Sequence, residues 1–351
     1  MKKAVVAVLV MMLAATALAG CKSTPTIAKI GLGHITSIAK SADLKVAEDG
    51  TKTGPVAQVD TVIAAVGFDK DGKVLKVAID TSQSKIAYDE NLALTTDVSA
   101  KGKTKVELGD AYGMGKVSTI KKEWYQQAAE LEKWMVGKTV AEIKAMKTKQ
   151  RDASHTNVPD VPELTSLVTI TVQDYIAAVE EASKNAVEVG KGAVTLGLGH
   201  VVDLASSRGY SKVDDKETLP QAQVNFTISA AAFDKDGKVV KNIIDTCQTR
   251  VAISVEGKIT TDKTAEVKSK KELGDAYGMK KSSGIGKEWF EQIAELEKWM
   301  VGKTASQISG MKTKTSGTHE GVPDVPELTS LVTVGVADYL AATAEAASKA
   351  K

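Results

Sequence analysis

The sequence predicts an α+β fold made of two tandem homologous modules, each an antiparallel sheet with a β-hairpin packed against several helices. Three observations predict it. Long blocks recur at a nearly constant offset: Glu107 to Met114 returns as Glu272 to Met279, Glu130 to Thr139 as Glu295 to Thr304, and Val158 to Thr169 unchanged as Val322 to Thr333. In each copy, β-rich runs flank an Asp-Lys-Asp-Gly-Lys turn, at 69–73 and 234–238. Apolar residues at helical spacing then follow the strands.

Taken in order, residues 1–20 read as a secretory leader. Lys2 and Lys3 precede an apolar stretch from Ala4 to Ala15 that is too short to span a bilayer comfortably. Leu18-Ala19-Gly20-Cys21 resembles a bacterial lipobox. That resemblance implies cleavage before Cys21, a diacylglyceryl group on its thiol and acylation of the new amino terminus. Each buried methylene contributes ~0.8 kcal/mol, so two or three chains hold a domain at a membrane surface. Residues 21–29 are expected to be a tether. Lys22 rather than an aspartate follows the cysteine, which argues against inner-membrane retention. The expected location is lipid-anchored and extracytoplasmic, on the cell membrane or the outer membrane. No other stretch reaches 18 uninterrupted apolar residues.

The modules are placed at 30–183 and 196–349, with residues 184–195 as a linker. Val59 to Phe68 and Val74 to Asp80 form the first hairpin, turning at Gly72; Phe226 to Phe233 and Val239 to Asp245 repeat it. Trp124, Ala128, Leu131 and Met135 share one helix face, and Gly137 ends that helix. Thr139-Val-Ala-Glu142 is a capping box for a second short helix, echoed by Thr304-Ala-Ser-Gln307. Tyr175 to Ser183 makes a closing helix.

Lys+Arg 46 against Asp+Glu 44 gives a formal charge of +2, and loss of Lys2 and Lys3 brings (46 − 2) − 44 to zero. A neutral chain lacks the basic excess that phosphate backbones demand, so no nucleic-acid partner is expected. Two cysteines make no disulfide framework. The copy of Cys247 is Ser82, which marks Cys247 as a buried free thiol rather than a nucleophile.

Several motifs invite a chemical reading beside a plain structural one. Asp69-x-Asp71-Gly72 has its glycine too early for a calcium loop and reads as a turn. Gly31-Leu-Gly-His34 and Gly197-Leu-Gly-His200 lack the third glycine of a phosphate loop and read as tight strand entries with a satisfied histidine. His34 and His155 with Asp152 or Asp160 form a conceivable metal set, but no ligand spacing enforces it. Ser166 and His155 lack a nucleophile elbow or oxyanion hole. Trp124 reads as core. Trp134 lies about 80° around its helix and is open to stacking.

The segment Pro162 to Thr171, with its copy at Pro326 to Gly335, carries an acidic residue and a hydroxyl cluster into a helix. It resembles the C-terminal segment of the FMN-binding domains of extracytoplasmic flavoproteins, such as the sodium-pumping quinone reductase subunit. That family's motif is Asp-x-x-Ser/Thr-Gly-Ala-Thr, and its last threonine is esterified to the flavin phosphate. The resemblance implies Thr169 and Thr333 as acceptors, positioned by Ser166, Ser330, Glu163 and Glu327. Trp134 and Trp299 would shield the ring. Leu167-Val168 and Leu331-Val332 stand where the family has glycine and alanine, and a leucine obstructs the approach of backbone amides to a phosphate.

The resemblance thus implies a membrane-anchored flavin lipoprotein, with FMN in each repeat and a membrane redox partner. No proton-transfer or nucleophile constellation is visible, so a carrier is expected rather than an enzyme. The alternative is a non-redox surface lipoprotein that binds a small solute, a peptide or a protein.

Overall fold

The computed structural model describes residues 26–351, so the leader and the expected lipid attachment at Cys21 lie outside the described residues. Among the described residues no helix is long and apolar enough to cross a membrane.

The long strands are the key to the architecture. Strand β2, Val56–Phe68, follows β1, Lys29–Ser37, and is buried along nearly its whole length rather than on alternate residues. A strand buried on both faces needs a packed layer on each side. Together with β3, Val74–Ala87, it forms an antiparallel sheet in the order β3-β2-β1, and Val187–Glu188 pairs along the free edge of β1. In the second half β4, Thr195–Asp203, β5, Gln221–Phe233, and β6, Val239–Ala252, pair in the order β6-β5-β4. The protein is a mixed α+β structure of two lobes.

The helices cover the outer faces. Among them are α1, Lys105–Leu108; α2, Trp124–Met135; α3, Val140–Lys144; and α4, Gln173–Lys184. Their second-lobe equivalents are α5, Lys270–Leu273; α6, Trp289–Met300; α7, Ala305–Ser309; and α8, Ala337–Ser348. Val62, Ala64 and Val66 face outward onto Trp124, Leu131 and Tyr175. Ile30, Ile63 and Ala65 face inward and share one core with Leu198, Phe226 and Ile228 of the other sheet. The layers therefore run helices, sheet, sheet, helices.

Local signals account for the elements. Gly72 takes φ 77° in the hairpin turn, and the Asp69 carboxylate accepts from the amides of Asp71 and Lys73 at 2.9 Å. That carboxylate is consumed by the turn. Thr139 and Thr304 accept from Glu142 and Gln307 in the expected capping boxes. Strand β3 continues past Asp80 through Thr81, Ser82, Gln83 and Ser84, whose polarity hides it from an apolar-run reading; Ser82 and Ser84 bond each other at 3.1 Å. Residues 184–195 are stitched into both sheets, since Ala193 is fully buried, its carbonyl accepts from Ile27, and Val194 donates to Phe233.

Loops are exchanged reciprocally between the lobes. Leu44 donates to the Gly257 carbonyl at 2.8 Å, and its counterpart Tyr210 donates to Leu92 at 2.9 Å. The interface is thus the self-complementary kind that two-fold dimers use. A fragment spanning residues 22–190 would expose Ile30, Ile63 and Ala65 to water. It is expected to dimerise through that face or to lose cooperative unfolding, which size-exclusion chromatography with thermal denaturation will show.

Candidate functional site

A cavity of about 650 Å³ opens on the outer side of the first lobe. Lys105 is the first residue of α1, whose capping box is closed by Thr104 and Glu107. This start sinks the lysine stem inward, leaving it 8% exposed. Its ammonium lies 4.9 Å from the centre of the Tyr112 ring and 5.3 Å from that of Trp124. No carboxylate lies within ion-pair distance of it among the described residues. Burial pushes its pKa down from 10.5 to about 8, against the raising pull of Asp60.

Opposite stands the hairpin built from Thr148–Lys149 and Val158–Pro159. Its Arg151 donates from Nη1 to the Thr169 carbonyl at 2.9 Å and pairs with Asp152 at 3.0 Å. Asp152 in turn holds His155 Nδ1 at 2.7 Å. Hydrogen bonds from His155 and Arg151 take the Asp152 carboxyl down to about 2. Lys40, paired with Asp60 at 2.8 Å, completes a cationic rim. Trp124, itself 1% exposed, forms part of the wall and donates to the Tyr175 hydroxyl at 2.8 Å.

Thr169 lines this cavity. Its amide and hydroxyl both donate to Oε1 of Gln127, at 2.8 and 3.3 Å. Gln127 is fully buried on α2, and its amide nitrogen is held by Ser118 and the Lys122 carbonyl, so its oxygen points at Thr169. Thr333 repeats the arrangement on Gln292 at 2.9 and 3.3 Å. Thr171 presents a buried hydroxyl with no partner at the same cavity.

Glu163 and Ser166, like Glu327 and Ser330, are exposed on the turn before each threonine and do not line the cavity. Val168 packs into the outer core. Trp134 lies at the far end of α2, its ring covered by Lys138 at 4.3 Å; Trp299 is covered by Lys303 at 4.1 Å. Trp134 does not line the cavity that holds Thr169. His155 sits on the cavity rim while His34 belongs to the inner layer, so the two histidines form no common metal set. Cys247 is a fully buried free thiol.

The two lobes differ at this place. The second-lobe cavity is about 280 Å³ and is lined by Lys270, Glu320, Gly335 and Tyr339, without Thr333. Lys270 repeats the stacking of Lys105, on Tyr277 and Trp289 at 4.9 and 5.3 Å. Ser206 replaces Lys40, residues 315–318 supply no cation in place of Arg151, and Gly335 replaces Thr171. No sequence motif points to Lys105, Arg151 or Gln127. Recurrence of Lys105 and Gln127 as Lys270 and Gln292 was the available signal for two of them.

A second titratable grouping lies where the sheets meet. His34, Glu181 and Glu272 converge there, as do His200, Glu345 and Glu107. Burial opposes the His34 imidazolium, but Cys247 beside it and the carboxylates of Glu272 and Glu181 outweigh this and raise its pKa. Burial lifts Glu181 to about 7, with Glu272 adding to the rise and His34 opposing it.

No protein-family model and no solved structure matches the chain. A protein named chlorophenol reductase from Desulfitobacterium hafniense is 35% identical over 96 residues, covering 24% of this chain and 29% of that protein. The chain therefore spans less than a third of that relative's length.

Proposed function

We propose that the first-lobe cavity binds FMN, and that the chain is an extracytoplasmic, lipid-anchored flavin carrier built from two FMN-binding-like repeats. The observation that carries this reading is the 650 Å³ cavity with an unpaired lysine, an arginine and an aromatic wall beside Thr169. Its volume lies within the ~300–1,000 Å³ of small-molecule sites. The fit is supported by what the cavity leaves unsatisfied: the Thr171 hydroxyl without a partner and the Lys105 ammonium without a counter-ion.

In this reading Lys105 and Arg151 hold the phosphate, and Gln127 fixes the Thr169 hydroxyl that a phosphoester bond would use. Tyr112 and Trp124 offer the isoalloxazine an apolar wall. A bound flavin supplies reversible electron transfer; the protein binds, orients and partly excludes water. Trp134 and Trp299, placed away from both cavities, take no part in this proposal. The second lobe retains one of the three cations, so occupancy of the first lobe alone is proposed, with electrons passed to a membrane partner. The partial likeness to a protein named a reductase supports a redox setting.

Full-length protein from a host with flavin-transferring machinery should be yellow and carry one flavin. Mass spectrometry of the peptide containing Thr169 reads whether the link is covalent. Colourless protein that also gains no thermal protection from added FMN would sink the proposal.

A further inference from the structure

We infer that His34, Glu181 and Glu272 form a binding site for one divalent transition-metal ion, of which Zn²⁺ is the simplest representative, at the contact between the two sheets. This goes beyond the flavin reading and does not depend on it.

The geometry is that of a ligand set. His34 Nε2 lies 3.1 Å from Glu272 Oε2 and 3.8 Å from Glu181 Oε1, and one ligand atom from each of the three residues falls within 4.8 Å of the others. Four ligands at zinc bond lengths of ~2.0–2.1 Å around a tetrahedral ion are separated by about 3.3 Å. One imidazole and two carboxylates suit a borderline divalent ion. His34 is 5% exposed, and strand β1 fixes its backbone. Its amide donates to Glu181 Oε2 at 3.2 Å, which orients that carboxylate from behind. Glu272 is oriented by its own capping box, since its carboxylate accepts from the Ser269 amide at 2.7 Å.

The internal repeat provides the control. In the second copy His200 meets Glu107 at 3.0 Å and its amide meets Glu345 at 2.5 Å. There Lys349 places its ammonium 2.5 Å from Glu345 Oε1, so the carboxylates already have a resident cation. The residue matching Lys349 in the first copy is Asn185. With no ammonium supplied, Glu181 Oε1 is buried and has no hydrogen-bond partner. A carboxylate oxygen that is buried without a partner is costly unless it takes up a proton or a cation.

Access and charge agree. His34, Glu181 and Glu272 line a cavity of about 290 Å³ together with Asn185. Four carboxyl groups, Glu181, Glu272, Asp245 and Glu297, face two lysines, Lys241 and Lys271, around it. Lys271 is taken by Glu297 at 2.6 Å. Three protein ligands leave further coordination positions facing this cavity, the pattern of a site that exchanges water or takes a small ligand.

The test is Zn²⁺ titration of the untagged full chain after chelator treatment, by calorimetry, with the absorption spectrum of a Co²⁺ complex as a second readout. No flavin is added, so the outcome is separate from that of the flavin experiment. One equivalent should bind. Glu181→Gln should weaken binding at least tenfold. Asn185→Lys, which copies the arrangement of the second lobe and so keeps the fold, should abolish it. Lys349→Asn should create a second equivalent. Wild-type protein that takes up no Zn²⁺ would overturn the inference. So would binding that survives both Glu181→Gln and Asn185→Lys unchanged.

Discussion

Lys105→Met is expected to weaken FMN binding by ~10- to 100-fold, while Lys270→Met leaves it unchanged. Hydrogen bonds to charged groups contribute ~1.5–3 kcal/mol, which sets that range. Lys105 is the rim cation with no carboxylate at ion-pair distance, whereas Lys40 and Arg151 are engaged by Asp60 and Asp152. Fluorescence titration with FMN measures the difference. Equal losses in both variants would show that the first-lobe cavity is not the site.

The same lysine sets a pH dependence. With its pKa near 8, Lys105 loses its charge in the free protein above that pH, so affinity for the phosphate should fall between pH 7 and 10. The linked effect on stability has the opposite sign. Between about 8 and 10.5 the unfolded lysine binds a proton that the folded one has released, so stability of the ligand-free protein rises with pH across that window. Lys105→Met should remove both dependences. Chemical denaturation at pH 7 and 10 checks the second without any ligand.

Gly33→Ala should be among the most damaging small substitutions in the protein, costing ~3 kcal/mol or more and roughly 6–12 °C of melting temperature. A methyl group there would overlap the Ala178 carbonyl oxygen of α4, and one at Gly31 would overlap that of Ala182. Both obstacles are backbone, so relief requires moving the helix off the sheet. The glycines of Gly-Leu-Gly-His thus serve close helix–sheet packing, repeated at Gly197 and Gly199 against α8. Gly72→Ala is the contrasting control. It meets no atom but must hold φ 77°, so a cost of about 1 kcal/mol is expected. If Gly33→Ala melts within 2 °C of wild type, the close approach is absent.

The sequence by itself determined whatever depends on chain neighbours: the repeat at an offset of 164–166 residues, the turn at Gly72, the capping boxes at Thr139 and Thr304, and the helix carrying Trp124 and Met135. Each is a bond or a period spanning a few residues, so the residue order contains it. Only the tertiary structure decided that the two sheets share one core, because strands such as Val56–Phe68 are apolar on both faces and do not say what covers each. It likewise decided that Lys105 and Arg151 meet at Thr169 while Ser166 and Trp134 do not, and that His34 faces a glutamate 238 residues away. Those meetings are made by loops crossing between lobes and by helix ends approaching a sheet. Contacts of that kind carry no periodicity, and among the many differences between the two repeats nothing in the residue order singles out Asn185 for Lys349 or Arg151 for an uncharged loop as the ones that make their sites unequal.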